Sequence, residues 1–264
     1  MSRWSILGLR FVRAALLICV ALWGALWVHI EYEAHRARVL LAEVSQIHVG
    51  GAEASVLPFV QRYDGFKWVT EPLPPREDSI DKDEYDYQQN RVSDYRYALQ
   101  ISPFGLSSVH PSRWVQAMRN VRSVVPERLR PMLGMRDWTA AADFSVRDGR
   151  VQSVLALTIF AGRSEWLGQS WEFSEGMPRR DMARQAYAVG AANLEMGVGN
   201  GAMIENYLTP EASAKEAGAA RQFNTGCWTS ISGCNGFCDL APRALEYIKQ
   251  HPDAAWGIIP PRCP

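Results

Sequence analysis

The longest apolar stretch lies near the start of the chain. Ala14 to Ile30, AALLICVALWGALWVHI, contains His29 as its only strongly polar residue. A helix of about 20 apolar residues crosses a ~30 Å hydrocarbon core, with about 17 as the lower limit. The run therefore predicts a transmembrane helix over 14–30, in contact with membrane lipid. Arg3, Arg10 and Arg13 precede it, whereas Glu31 and Glu33 follow it ahead of Arg36 and Arg38. That asymmetry puts residues 1–13 in the cytoplasm and the remaining chain outside, with a single pass through the cell (inner) membrane. Arg10 and Arg13 mark one interface, and Trp23 and Trp27, four residues apart on one helix face, mark the other. A cleaved signal peptide shares the basic start, but no pair of small residues follows Ile30 to supply a cleavage point, which favours an uncleaved anchor.

Beyond the span the pattern changes period several times. Glu31 to Gln46 has neither proline nor glycine and places Val39, Leu40, Leu41 and Val44 at helical spacing, so the anchor is expected to continue as a helical stalk over 31–49. Gly50-Gly51 breaks it. A second helix is expected from Ala52 to Tyr63, ended by Asp64-Gly65, with a strand beginning at Phe66. Residues 71–90, rich in proline, acid and amide, read as an exposed loop. Alternation resumes in a strand from Val92 to Ile101, and a helix with Trp114, Val115, Met118 and Val121 follows Ser112 as its cap. Trp138–Val146 and Val151–Phe160 flank Asp148-Gly149, the strongest hairpin signal in the chain. Trp166 to Phe173 predicts another strand, Asn200-Gly201 a second tight turn, and 209–221 and 240–250 two late helices. The sum is an α+β domain over 50–264, an antiparallel sheet with segregated helices, preceded by one N-terminal transmembrane helix.

Composition removes one class of function. Lysine plus arginine equals aspartate plus glutamate, 28 against 28, so there is no overall field to attract nucleic acid. Cysteine distribution adds a compartment. Cys19 sits in the apolar run, and Cys227, Cys234, Cys238 and Cys263 cluster in the last forty residues. Such clustering outside the cytoplasm predicts two disulfides, with Cys227–Cys234 and Cys238–Cys263 the preferred of three pairings. Only Cys234 and Cys238 have the spacing of a zinc pair, and Cys-x-x-Cys is absent.

Candidate chemistry is sparse. Gly197 to Ala202 fits Gly-x-Gly-x-x-Ala, but the dinucleotide fingerprint needs a helix opening at those glycines, and Met203 to Leu208 reads as a strand. An EF-hand loop from Asp81 fails at Asp86 and Val92. His48, His110 and His251 show no triad or metal spacing. No cofactor or metal is therefore expected. Glu165, Glu172, Glu175 and Asp143 lie on or beside strands near Trp138, Trp166 and Trp171. Paired carboxylates can cleave glycosidic bonds and indole faces stack on sugars, so Trp166, Trp171, Glu165 and Glu172 form the candidate ligand surface. The reading that results is a membrane-anchored periplasmic domain acting by binding, with an envelope protein as partner. An envelope hydrolase acting on a glycan is the alternative.

Overall fold

The computed structural model describes residues 3–69, 93–104, 113–126, 128–161, 166–174, 190–192, 201–208, 218, 221 and 223–230. One helix, α1 (Arg3–Val44), dominates the N-terminal part. Its 42 residues extend for roughly 63 Å at 1.5 Å per residue. No proline interrupts it, and its stretch from Arg10 onward is long and apolar enough to cross a membrane.

Seven strands form one sheet: β1 (Phe66–Val69), β2 (Tyr95–Ile101), β3 (Trp138–Arg147), β4 (Arg150–Ala161), β5 (Trp166–Ser174), β6 (Gly190–Ala192) and β7 (Gly201–Leu208), in the order β1-β2-β3-β4-β5-β7-β6. The first five are antiparallel neighbours. β7 then joins β5 in parallel, and β6 pairs antiparallel with β7. The expected α+β character thus holds for the five-stranded antiparallel part. The parallel pair is a departure, because no helix-length pattern around 175–200 announced a crossover.

The β3–β4 hairpin turns on Asp148 and Gly149, with φ of 51° and 70°. Both central residues need positive φ in such a turn, which aspartate tolerates and glycine adopts without steric cost. Of Asn200-Gly201, the glycine opens β7 opposite Ala192, and the asparagine lies outside the described residues. The expected helix over 52–63 divides into a 3₁₀ turn (Glu53–Ser55) and α2 (Leu57–Arg62), with Pro58 in the first turn of α2, where its missing N–H costs nothing. The expected loop over 71–90 and the helices over 209–221 and 240–250 fall outside the described residues, apart from positions 218 and 221.

The core lies between α1 and one face of the sheet. Alternation along β2 and β3 sends Tyr97, Leu99 and Ile101, and Trp138, Ala140, Ala142, Phe144 and Val146, inward. From α1 the buried positions are Leu26, His29, Ile30, Glu33, Ala34, Ala37, Leu40, Leu41 and Val44, one stripe at three- and four-residue spacing. The segment expected to stand free as a stalk is therefore the core helix of the domain. Ala34 and Ala37 are fully buried and small, which lets the helix approach the sheet closely. A second apolar cluster joins Leu26 and Ile30 to Phe104, Met118 and Met135. Met118 belongs to α3 (Arg113–Val124), which runs beside the upper part of α1.

His29 takes its meaning from this packing. Its Nε2 lies 2.8 Å from the Pro103 carbonyl oxygen, and the Trp114 indole Nε1–H donates to its Nδ1 at 3.2 Å. A carbonyl only accepts and an indole only donates, so the ring is the neutral tautomer with its proton on Nε2. The single polar residue of the apolar run is a satisfied tertiary contact.

Candidate functional site

The sheet face away from α1 carries the one polar cluster of carboxylates among the described residues. Residues 143 and 145 on β3 alternate with the buried apolar series and so point to this face. The register aligns Ala98, Asp143, Leu155 and Glu172 in one row across β2 to β5. Asp143 and Glu172 are two strands apart, a Cα separation of about 9–10 Å at ordinary strand spacing. The next row contributes Arg96, Ser145 and Ser153. Arg96, Asp143, Ser145, Ser153, Leu155 and Glu172, with Gln152, line a cavity of about 40 Å³.

Burial pushes the Asp143 carboxyl up to about 6; the Arg96 guanidinium opposes that rise and the Glu172 charge adds to it. A carboxyl raised in this way beside a second carboxylate has the character of a general acid. The volume decides against a sugar substrate in the cavity as it stands. A water needs roughly 10–15 Å³ of such space, so about three waters fill it, and a pyranose ring does not fit.

Two residues of the expected ligand surface, Trp171 and Glu172, lie on opposite faces of β5. Trp171 is 1 % exposed and belongs to the core on the helix-facing side. Glu172, the next residue, points to the opposite face and lines the cavity. Trp171 therefore presents no open ring to a ligand. Trp166 lies at the start of β5, and Glu165 and Glu175 fall outside the described residues. Arg96, Ser145 and Ser153 were not singled out from sequence. Their signal was the period-2 alternation of polar residues with Ala142, Phe144 and Val154, which assigns them a common face but no chemistry.

A second polar group ties the segment after α1 to the sheet edge. The Tyr95 and Tyr97 hydroxyls each donate to Glu53, at 2.5 Å, and Lys67 Nζ lies 4.0 Å from Glu53 Oε1 and 3.3 Å from the Tyr95 ring centroid. The Tyr95 hydrogen bond is foremost in holding the Glu53 carboxyl below its usual range. In return, Glu53 raises Tyr95 to about 12, while burial and Glu53 raise Tyr97 further. Both acceptor oxygens are occupied, so the cluster is a strap rather than a reactive centre.

At the N-terminal end Arg10 and Arg13 are exposed. Trp23 and Trp27 stack at 6.3 Å with a 5° interplanar angle, and Trp23 Nε1–H donates to the Leu133 carbonyl at 3.3 Å. His48 is exposed, and His110 and His251 lie outside the described residues. Cys19 is free and exposed. Cys227 is buried beside Trp228, whose ring stacks on Trp138 at 4.6 Å; Cys234, Cys238 and Cys263 lie outside the described residues. Arg38 of α1 donates to the Thr225 hydroxyl at 3.2 Å, fixing this cysteine-bearing turn to the core helix. Comparison with protein-family models, with curated proteins and with solved structures finds no match to this chain.

Proposed function

We propose that the chain is a single-pass membrane protein of the cell (inner) membrane whose α+β domain lies in the periplasm and acts there by binding an envelope partner. One observation carries this reading: α1 is a continuous helix, apolar and exposed from Ala14 to Leu22 and built into the domain core from Leu26 to Val44. An exposed apolar helix of this kind is costly in water and stable in lipid. The asymmetric arginines assign the N-terminus to the cytoplasm. The clustered cysteines fit an oxidising compartment, and Cys19 is a free thiol whereas Cys227 is not.

Topology is tested by a reporter active only outside the cytoplasm, fused after Pro264. Activity supports the assignment, and a reporter active only in the cytoplasm reverses it. Resistance of the full chain to alkaline extraction tests anchorage separately. Labelling of the denatured chain with a thiol reagent, without reductant, should modify Cys19 and spare Cys227, Cys234, Cys238 and Cys263.

A hydrolase is the second reading, and Asp143 beside Glu172 and Arg96 is the observation that favours it. Asp143→Asn and Glu172→Gln keep cellular function if the domain only binds. Loss of function with an intact fold favours chemistry, and Glu165→Gln extends the comparison to a third candidate carboxylate.

A further inference from the structure

The membrane-spanning run and the domain overlap in space. Leu133 and Gly134 lie against Trp23 and Trp27, Trp114 lies against His29, and Phe104, Met118 and Met135 enclose Leu26 and Ile30. The last eight residues of the run, Trp23 to Ile30, cover about 12 Å of helix. There the domain covers one side of the helix and leaves Trp23, Trp27 and Val28 exposed on the other. Ala14 to Leu22, exposed at every position, covers about 14 Å, half of a ~30 Å hydrocarbon core. A helix this short on its own leaves a large mismatch. The mismatch closes if the groups around Trp23 to Ile30 enter the membrane with it.

Those groups have the surface this requires. Around the exit of α1, Val124 is 80 %, Met132 69 % and Trp114 50 % exposed. Between Arg113 and Arg136 the sequence has six arginines and one glutamate. Several of these arginines serve the fold: Arg119 donates to the Phe104 carbonyl, Arg122 pairs with Asp137, and Arg130 donates to the Val125 carbonyl. Arg113 and Arg128 are exposed. Apolar side chains among basic ones, on an amphipathic helix, suit a headgroup layer, and exposed arginines there attract anionic lipid.

We infer that α3 and the turn through Met135 form a collar that seats the domain in the membrane interface and binds anionic phospholipid headgroups. The inference rests on the anchored reading, and its test separates the two. The full chain is placed in phosphatidylcholine vesicles, with or without phosphatidylglycerol, containing a quencher on the acyl chains. A fluorophore is attached at Cys19, or through Met132→Cys or Arg147→Cys in a Cys19→Ser background. Arg147, at the β3–β4 turn, is the distal control. The expected result is quenching from Cys19 and Met132 positions and none from Arg147. Quenching at Cys19 without quenching at Met132 overturns the collar and leaves the anchor, making the exposed face one for a protein or a second copy. Absence of quenching at Cys19 overturns both.

The lipid preference is read from the same probe. Phosphatidylglycerol should increase the seated fraction, and Arg113→Gln with Arg128→Gln should reduce that gain about fivefold per arginine. Both side chains are exposed, so the variant folds. An unchanged dependence on phosphatidylglycerol overturns anionic recognition.

Discussion

Replacing Asp143 by asparagine isolates the electrostatics of the sheet-face cavity. The carboxyl stands at about 6 in the fold, against the usual value near 4, with burial as the main cause. One such unit corresponds to 1.36 kcal/mol, so ionising Asp143 in place costs on the order of 3 kcal/mol more than in the unfolded chain. The sign follows from proton binding. Between about pH 4 and pH 6 the folded state holds the proton and the unfolded state has released it. Stability contributed by this group is therefore complete below pH 4, falls as pH rises, and is lost above about pH 6. Asparagine has no proton to lose, so Asp143→Asn removes this slope.

The assay is thermal unfolding of the full chain in detergent micelles, followed by tryptophan fluorescence from pH 4 to 7.5, with variant and wild type compared at each pH. Differencing removes the contributions of Glu53 and Asp137, which both chains share. Relative to its effect at pH 4, Asp143→Asn should gain about 3 kcal/mol by pH 7.5, a shift of about 6–12 °C for a domain of this size. A difference that does not vary with pH refutes the buried, raised carboxyl. A variant that loses ground as pH rises refutes it more pointedly, since that is the behaviour of a carboxylate stabilised by Arg96.

Three further outcomes test the fold. Ala37→Leu should destabilise the domain by about 1–3 kcal/mol, because Ala37 is fully buried between α1 and the sheet; an unchanged melting temperature would show that the helix does not sit closely there. Gly149→Ala should cost about 1–2 kcal/mol from positive φ alone, since no atom lies near its added Cβ; urea unfolding reads the difference. Glu53→Gln removes the charge that helps hold Tyr95 near 12, so the phenolate absorbance of Tyr95 should rise at lower pH, and an unmoved titration would remove Glu53 as the cause.

The antiparallel part of the sheet was legible because its signals are local. Alternation in Tyr95–Ile101 and Trp138–Val146, and the positive-φ pair at Asp148-Gly149, need no distant partner to be read. The β5–β7 pairing is non-local: Gly201 pairs with Trp166, and no local pattern carries that contact. The cavity was half legible. Asp143 and Glu172 are conspicuous as acids on strands, but their shared row depends on two registers, and the separation of Glu172 from Trp171 depends on which face is buried. Adjacency in sequence suggested one surface where the pleat makes two.

The helix α1 shows why hydropathy alone misjudges a boundary. Apolar density ends at Ile30, yet the stripe that enters the core starts at Leu26 and continues through Ala34 and Ala37, residues too small to register as a hydrophobic face. Glu33 within that stripe, paired with Arg36, disguises it further. The physical boundary between exposed apolar and domain-facing helix is thus a gradual exchange of neighbours, with the His29 ring bonded to Pro103 and Trp114 rather than to water. Because the helix is continuous across that exchange, its apolar N-terminal segment and the core cannot move independently. A force or a tilt applied to Ala14–Leu22 is delivered to the sheet through Leu40 and Val44, which share its core.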